Sequence, residues 1–320
     1  MSSAGFGCRQ AFARALLDEA RRDPSIFVVT SDARGSAALD EFARELPEQF
    51  VEVGIAEQDA VGVGAGLARS GKRVFVAGPA SFYSARCVEQ VKNDVAYADL
   101  DVKIVGVSGG VSYGALGATH HSLCDIALYR AVPNMSVIIP SDAAQAELVA
   151  RHLARNRGPA YVRMGRSPVP DSYEPGAAAF SSGKANILAQ GSDCAIVACG
   201  EALHYALGAV SELAARGIAC LLLDMPSIKP LDEAAILEAA RRCGAVVTVE
   251  EHYACGGLGG AVAELLSQRL PTPLRILGFP DEYLPAGSSD ELFEYCGLGS
   301  GGIAGSVVEF LGATRKGAVT

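Results

Sequence analysis

Short β-rich runs alternate with helical patterns from one end of this 320-residue chain to the other, and that alternation restricts the fold more than any other feature. The runs 26–30, 50–53, 74–77, 102–107, 137–139 and 160–164 are apolar and bounded by polar, Gly or Pro residues. Helical patterns at 8–22, 55–70, 83–98 and 143–157 separate them, the first with Phe12, Ala15, Leu16 and Ala20 on one stripe. Strands joined through helices imply parallel pairs with right-handed crossovers, hence an α/β, doubly wound sheet. The Pro-rich stretch from Ser167 to Gly176 has no periodicity and reads as the start of a linker, placed at 169–185. Alternation then restarts with strands at 194–198, 219–224, 245–250 and 274–277 and helices near 202–215, 232–242, 257–269 and 302–311. Two domains follow, 1–168 and 186–320, both doubly wound with mainly parallel sheets.

Composition narrows the function. A net charge of −9 offers no basic excess for nucleic acid, and no basic amphipathic face suits a membrane. The opening run 1–7 lacks an apolar leader core, so a cytoplasmic protein is expected. Nine cysteines form no Cys-x-x-Cys pair; Cys194, Cys199 and Cys220 lie in apolar strand patterns, where a reduced thiol acts as a small hydrophobe. No metal site of the chain's own is expected.

Three segments follow the carboxyl ends of predicted parallel strands, where open α/β sheets place their ligands. Glu57 opens a helix just after Val51-Glu52-Val53-Gly54-Ile55-Ala56. Gly78-Pro79-Ala80-Ser81-Phe82-Tyr83-Ser84 reads as a turn bearing two aromatics. The Gly-rich loop from Gly109 to His121 ends in tandem histidines, His120 and His121. A carboxylate, a flat aromatic and a neutral-range histidine pair on one rim suit a planar heterocycle that needs stacking and proton transfer. Each feature also has an ordinary structural explanation, as a helix-start charge, a core aromatic or a turn.

These residues resemble the pyrimidine-binding domain of transketolases. The likeness runs through Val53-Gly54-Ile55-Ala56-Glu57-Gln58, Phe82, Glu89-Gln90-Val91-Lys92-Asn93-Asp94, Thr119-His120-His121, Asp125-Ile126-Ala127 and Gly158-Pro159-Ala160-Tyr161-Val162-Arg163. The second half, with Val249-Glu250-Glu251-His252 and Gly256-Gly257-Leu258-Gly259, is similar to the transketolase C-terminal domain. The resemblance implies thiamine diphosphate as cofactor. It makes Glu57 the glutamate that hydrogen-bonds N1′ of the aminopyrimidine, from a raised pKa among small apolar residues, and so promotes proton loss at thiazolium C2. Phe82, Tyr83 and Ile55 would border the ring, and His120 would face the substrate's oxygens. His121, Leu116 and Ser108 fall on the substrate side of the loop, while Arg9, Arg166 and Ser31 match positions that hold a sugar phosphate.

The family's Gly-Asp-Gly motif, which anchors the diphosphate through Mg²⁺ (or Ca²⁺), is absent from the sequence. The resemblance therefore implies the C-terminal subunit of a split enzyme, with the metal held mainly by an N-terminal partner subunit in an α2β2 particle. Leu116 stands where an aspartate is usual, and Ser108 where a histidine is usual. An ordinary ketose phosphate donor is thereby opened to replacement, including by a 2-oxo acid. The expected reaction forms or transfers a C–C bond next to a carbonyl. Two alternatives stand beside it: the β subunit of a 2-oxo acid dehydrogenase, and a catalytically silent scaffold subunit.

Overall fold

A computed structural model describes residues 7–317; the leader reading of residues 1–6 lies outside them. The first half contributes β1 (Ile26–Thr30), β2 (Phe50–Glu52), β3 (Arg73–Pro79), β4 (Val102–Val107), β5 (Ser136–Ile138) and β6 (Ala160–Arg163). They pair in parallel in the order β5-β6-β4-β3-β1-β2. The chain continues through β7 (Asn186–Ala189), β8 (Cys194–Ala198), β9 (Cys220–Asp224), β10 (Ser227–Lys229), β11 (Val246–Tyr253) and β12 (Leu274–Phe279). Five of these form a second sheet, β12-β11-β8-β9-β7, parallel except at the β7 edge. The fold is α/β, two mainly parallel sheets layered with helices.

The central strands show why this sequence layers so. Along β3 and β4, Val74, Val76, Val102 and Ile104 pack with Ala60, Val61 and Ala65 of the helix Glu57–Arg69. On the other face Phe75, Ala77, Val105 and Val107 pack with the helices Cys8–Ala20 and Ala143–Arg155. Period-two alternation between two apolar faces is what a sheet covered on both sides demands. Gly64 sets the approach of its helix: a Cβ there would stand 2.7 Å from a Val76 methyl. The stripe read in the first helix, Phe12, Ala15, Leu16 and Ala20, is buried.

The halves are interlocked. Strand β10 leaves the second unit and adds antiparallel to β5, closing an open edge of the first sheet. The segment read as a linker is also tied down: Ser172 N donates to Asp142 Oδ2 at 2.9 Å, and Tyr173 Oη meets the buried Asp224. The helix expected at 83–98 begins earlier and breaks into Ala80–Ala85, Val88–Gln90 and a π-helical Val91–Ala96. The stretch 289–314 is long and apolar enough by composition to cross a membrane. It contains the helix Ser289–Tyr295 and most of Ser300–Gly317, and Leu292, Phe293, Ile303, Val307 and Phe310 spend that apolarity in the second core.

Candidate active site

Five parallel strands of the first sheet bring the expected site segments to one rim. Ser31 follows β1, Glu57 follows β2, Phe82 follows β3, the Gly-rich loop follows β4 and Arg166 follows β6. The rim carries a continuous line of contacts. Arg86 Nη1 donates to Glu57 Oε2 at 2.6 Å, and its guanidinium carbon lies 4.7 Å from the centroid of the Phe82 ring. Phe82 meets the His120 ring edge to face at 5.3 Å, and His120 meets Tyr113 at 5.6 Å. Arg166 covers Tyr113 at 4.8 Å and donates to its hydroxyl at 3.2 Å. Arg9 ends the line, donating from Nε to the Arg166 carbonyl at 3.1 Å.

Glu57 is the first residue of its helix, at the positive end of the helix dipole, and only 6 % exposed. Its surroundings differ from the apolar cradle expected from its neighbours in sequence. An arginine 29 positions away supplies an ion pair, because the break after Ala85 puts Arg86 against the helix start. His120 Nδ1 lies 3.0 Å from the Thr119 hydroxyl, which engages one ring nitrogen and leaves Nε2 for a ligand. Arg9 and Arg166 form no ion pair with a described carboxylate; burial and the neighbouring Arg166 both lower the pKa of Arg9. Two adjacent guanidinium groups without a counter-charge suit a phosphate.

Three of the expected residues, Tyr83, Ser31 and Ser108, are buried. Adjacent helix positions point about 100° apart, and here Phe82 and Tyr83 face different surroundings. Phe82 faces the rim, whereas Tyr83 is fully buried and pairs its hydroxyl with Ser31 Oγ at 2.9 Å. The full burial of Tyr83 keeps it off the rim, and the buried Ser31 hydroxyl is engaged with it. Gly78 makes room for it, since a Cβ there would stand 2.4 Å from the Tyr83 ring. Ser108 is also fully buried, with φ of 57° and no partner for its hydroxyl among the described residues, so it does not face the rim. His121 is half-buried and neither ring nitrogen has a hydrogen-bond partner among the described residues; burial lowers its pKa and favours the neutral ring. Ile55 and Leu116 stand out from the surface at 80 % and 54 % exposure.

The Gly-rich loop is held from beneath by residues to which the sequence assigned no role. Arg163, at the end of β6, donates to Glu251 of β11 at 2.8 Å and lies 3.6 Å from Asp125. Glu251 also accepts the Val111 amide at 2.8 Å, so the second unit clasps the loop of the first. Gly109 and Gly110 sit directly on this ion pair: added Cβ atoms would come within 2.3 Å of Arg163 and 2.0 Å of Glu251. Burial works against the charge of Arg163, but Asp125 and Glu251 outweigh it and hold the guanidinium protonated. Burial raises Glu251, and burial with the nearby Glu251 charge raises Glu201. The only sequence signal for this clasp was that Arg163, Asp125 and Glu251 fell inside motifs quoted for the resemblance.

The expected site lies outside the interdomain groove. The interdomain groove of about 650 Å³ is lined by Arg130, Lys229 and Glu264 among others, and reaches none of Glu57, Phe82 or His120. Among the described residues no group of three His, Cys, Asp or Glu side chains could hold a metal ion. All nine cysteines are free, and Cys194, Cys199 and Cys220 are buried.

Comparison with known proteins identifies this architecture. Residues 5–171 match the transketolase pyrimidine binding domain and residues 183–303 the transketolase C-terminal domain. The chain is 52 % identical over 311 residues to an apulose-4-phosphate transketolase subunit of Phocaeicola vulgatus, covering 97 % of this chain and 99 % of that protein. It is 38 % identical over 292 residues to a 6-deoxy-6-sulfo-D-fructose transketolase subunit of a Clostridium species, covering 91 % and 90 %. A solved structure described as a split gene transketolase, inactive beta4 tetramer, superimposes with a TM-score of 0.86 at 38 % identity over 96 % of this chain and 99 % of that one. The Campylobacter jejuni transketolase, at 18 % identity and a TM-score of 0.81, shares the fold, and this chain spans 46 % of it. Glu57, Phe82 and His120 thus lie on the rim of a recognised pair of domains: the chain belongs to the transketolase family of thiamine diphosphate-dependent transferases, as a subunit of the split form that carries the pyrimidine-binding and C-terminal domains.

Proposed function

We propose that this chain supplies half of each active site in an α2β2 transketolase, and that its partner subunit holds the diphosphate and Mg²⁺ (or Ca²⁺). The observation that carries this reading is the rim itself. Glu57, Phe82, His120, Arg166 and Arg9 form one line, yet the interdomain groove does not enclose them. A buried carboxylate beside a flat ring already accepts a planar N–H donor, so the residues fit an aminopyrimidine. Thiamine diphosphate supplies the carbon nucleophile. Glu57 would accept the ring N–H, Phe82 would cover one face, and His120 would hold a substrate oxygen.

The Arg9–Arg166 pair supports a sugar phosphate at the far end of the line, and two relatives carry sugar transketolase names. Transfer of a two-carbon ketol unit involving a less hydroxylated sugar phosphate is the reading we favour. The apolar Leu116, 54 % exposed in the Gly-rich loop, supports a less hydroxylated donor and keeps a 2-oxo acid as the second reading.

Assembly follows from the same face. Ile55 stands free, and on the adjoining helix Gly62 and Gly66 have nothing within 4 Å of an added Cβ. A flat, small-residue helix face beside an exposed aliphatic side chain suits close packing in an obligate interface. Light scattering of the co-expressed pair is expected to give about twice the mass of one heterodimer. A fully active particle that stays one-to-one would contradict the α2β2 arrangement.

A further inference from the structure

We propose that Arg86 is a stand-in for the cofactor's aminopyrimidine: in the chain without cofactor its guanidinium fills the ring's place, and cofactor binding expels it. The inference deepens the split-transketolase reading and rests on it. A protonated aminopyrimidine and a guanidinium make the same demands on a site. Each is flat, each presents N–H to a carboxylate, and each stacks on an aromatic face. Arg86 meets these demands at once, with Nη1 2.6 Å from Glu57 Oε2 and Cζ 4.7 Å from the Phe82 centroid. Both groups that would receive the ring are therefore already engaged by one side chain.

The arrangement also has a physical reason. A carboxylate as buried as Glu57, left without a partner, would carry a desolvation penalty that nothing offsets. Arg86 removes that penalty until the ring arrives. It can then leave, because its side chain is 47 % exposed and a further tie runs through its backbone: Gln58 Nε2 donates to the Arg86 carbonyl at 3.1 Å. The residue also sits in the break between the helices Ala80–Ala85 and Val88–Gln90, so the guanidinium can swing out while the backbone stays. Lysine would not serve as well, since it could pair with Glu57 but has no plane to lay on Phe82.

A site that must first be vacated binds its ligand more weakly, in proportion to the fraction of time it stands open. Calorimetric titration of the co-expressed pair, stripped of cofactor, with thiamine diphosphate and Mg²⁺ tests this without reading turnover. Arg86→Met is expected to bind about five- to tenfold more tightly than wild type, the scale of a partly exposed ion pair with its stacking contact. Arg86→Lys, which keeps the ion pair and so preserves folding, is expected between the two. Equal or weaker binding by both variants would overturn the inference and make Arg86 a residue that stays with the cofactor. Failure of the wild-type pair to bind at all is a different result: it overturns the split-transketolase reading and this inference with it.

Discussion

Glu57→Gln in the co-expressed pair is expected to leave the fold intact while slowing proton exchange at C2 of the bound cofactor by about 10²–10⁴-fold. Glutamine keeps the size and a hydrogen-bonding oxygen of glutamate but cannot carry the negative charge that holds a ring proton. The structural cost is small. Glu57 pairs with Arg86, whose side chain is 47 % exposed, and pairs of that kind are worth about 0.2–1 kcal/mol. Deuterium exchange followed by NMR, with a thermal melt of the same sample, separates the two effects. Exchange at the wild-type rate would reduce Glu57 to a helix-start charge.

Leu116→Asp is the second large effect. The competing explanation, that Leu116 packs the loop from within, is set against its 54 % exposure in the turn Gly114–Leu116. A carboxylate there is expected to raise activity with ordinary ketose phosphates and lower it with the native donor. Discrimination through a hydrogen bond reaches roughly 10⁴-fold, whereas apolar contact alone gives about 10–200-fold. A donor panel on both proteins decides. If wild type already uses xylulose 5-phosphate as well as an ordinary transketolase and the aspartate variant shows no shift, Leu116 does not set the donor.

Most parallel strands are legible because buried strands read as continuous apolar runs, so β1, β3, β4, β6, β8 and β9 stand where the pattern put them. The misses share a cause. Strands β7 and β10 are short, antiparallel and at sheet edges, where four and three residues carry no period. Their existence depends on a neighbour's open edge, which no local pattern records. The same holds at the site. Glu57 and His120 stand out by strand-end position and residue chemistry, and the resemblance implies their roles. The bond between Tyr83 and Ser31 is visible only in the packed structure. Arg86 was missed altogether: an arginine between Ala85 and Cys87 has no signature until a break in the helix turns it onto Glu57. The clasp of Arg163 and Glu251, 88 positions apart, is likewise a product of folding.

The central claim is that this chain is half of an active site, and calorimetry of the chain alone tests it most directly. Thiamine diphosphate with Mg²⁺, titrated into the isolated chain, is expected to give weak binding or none, because magnesium bridges such phosphates to carboxylates that the partner would supply. The same titration into the co-expressed pair is expected to give a saturable heat at one cofactor per heterodimer. Tight binding by the isolated chain would contradict the account.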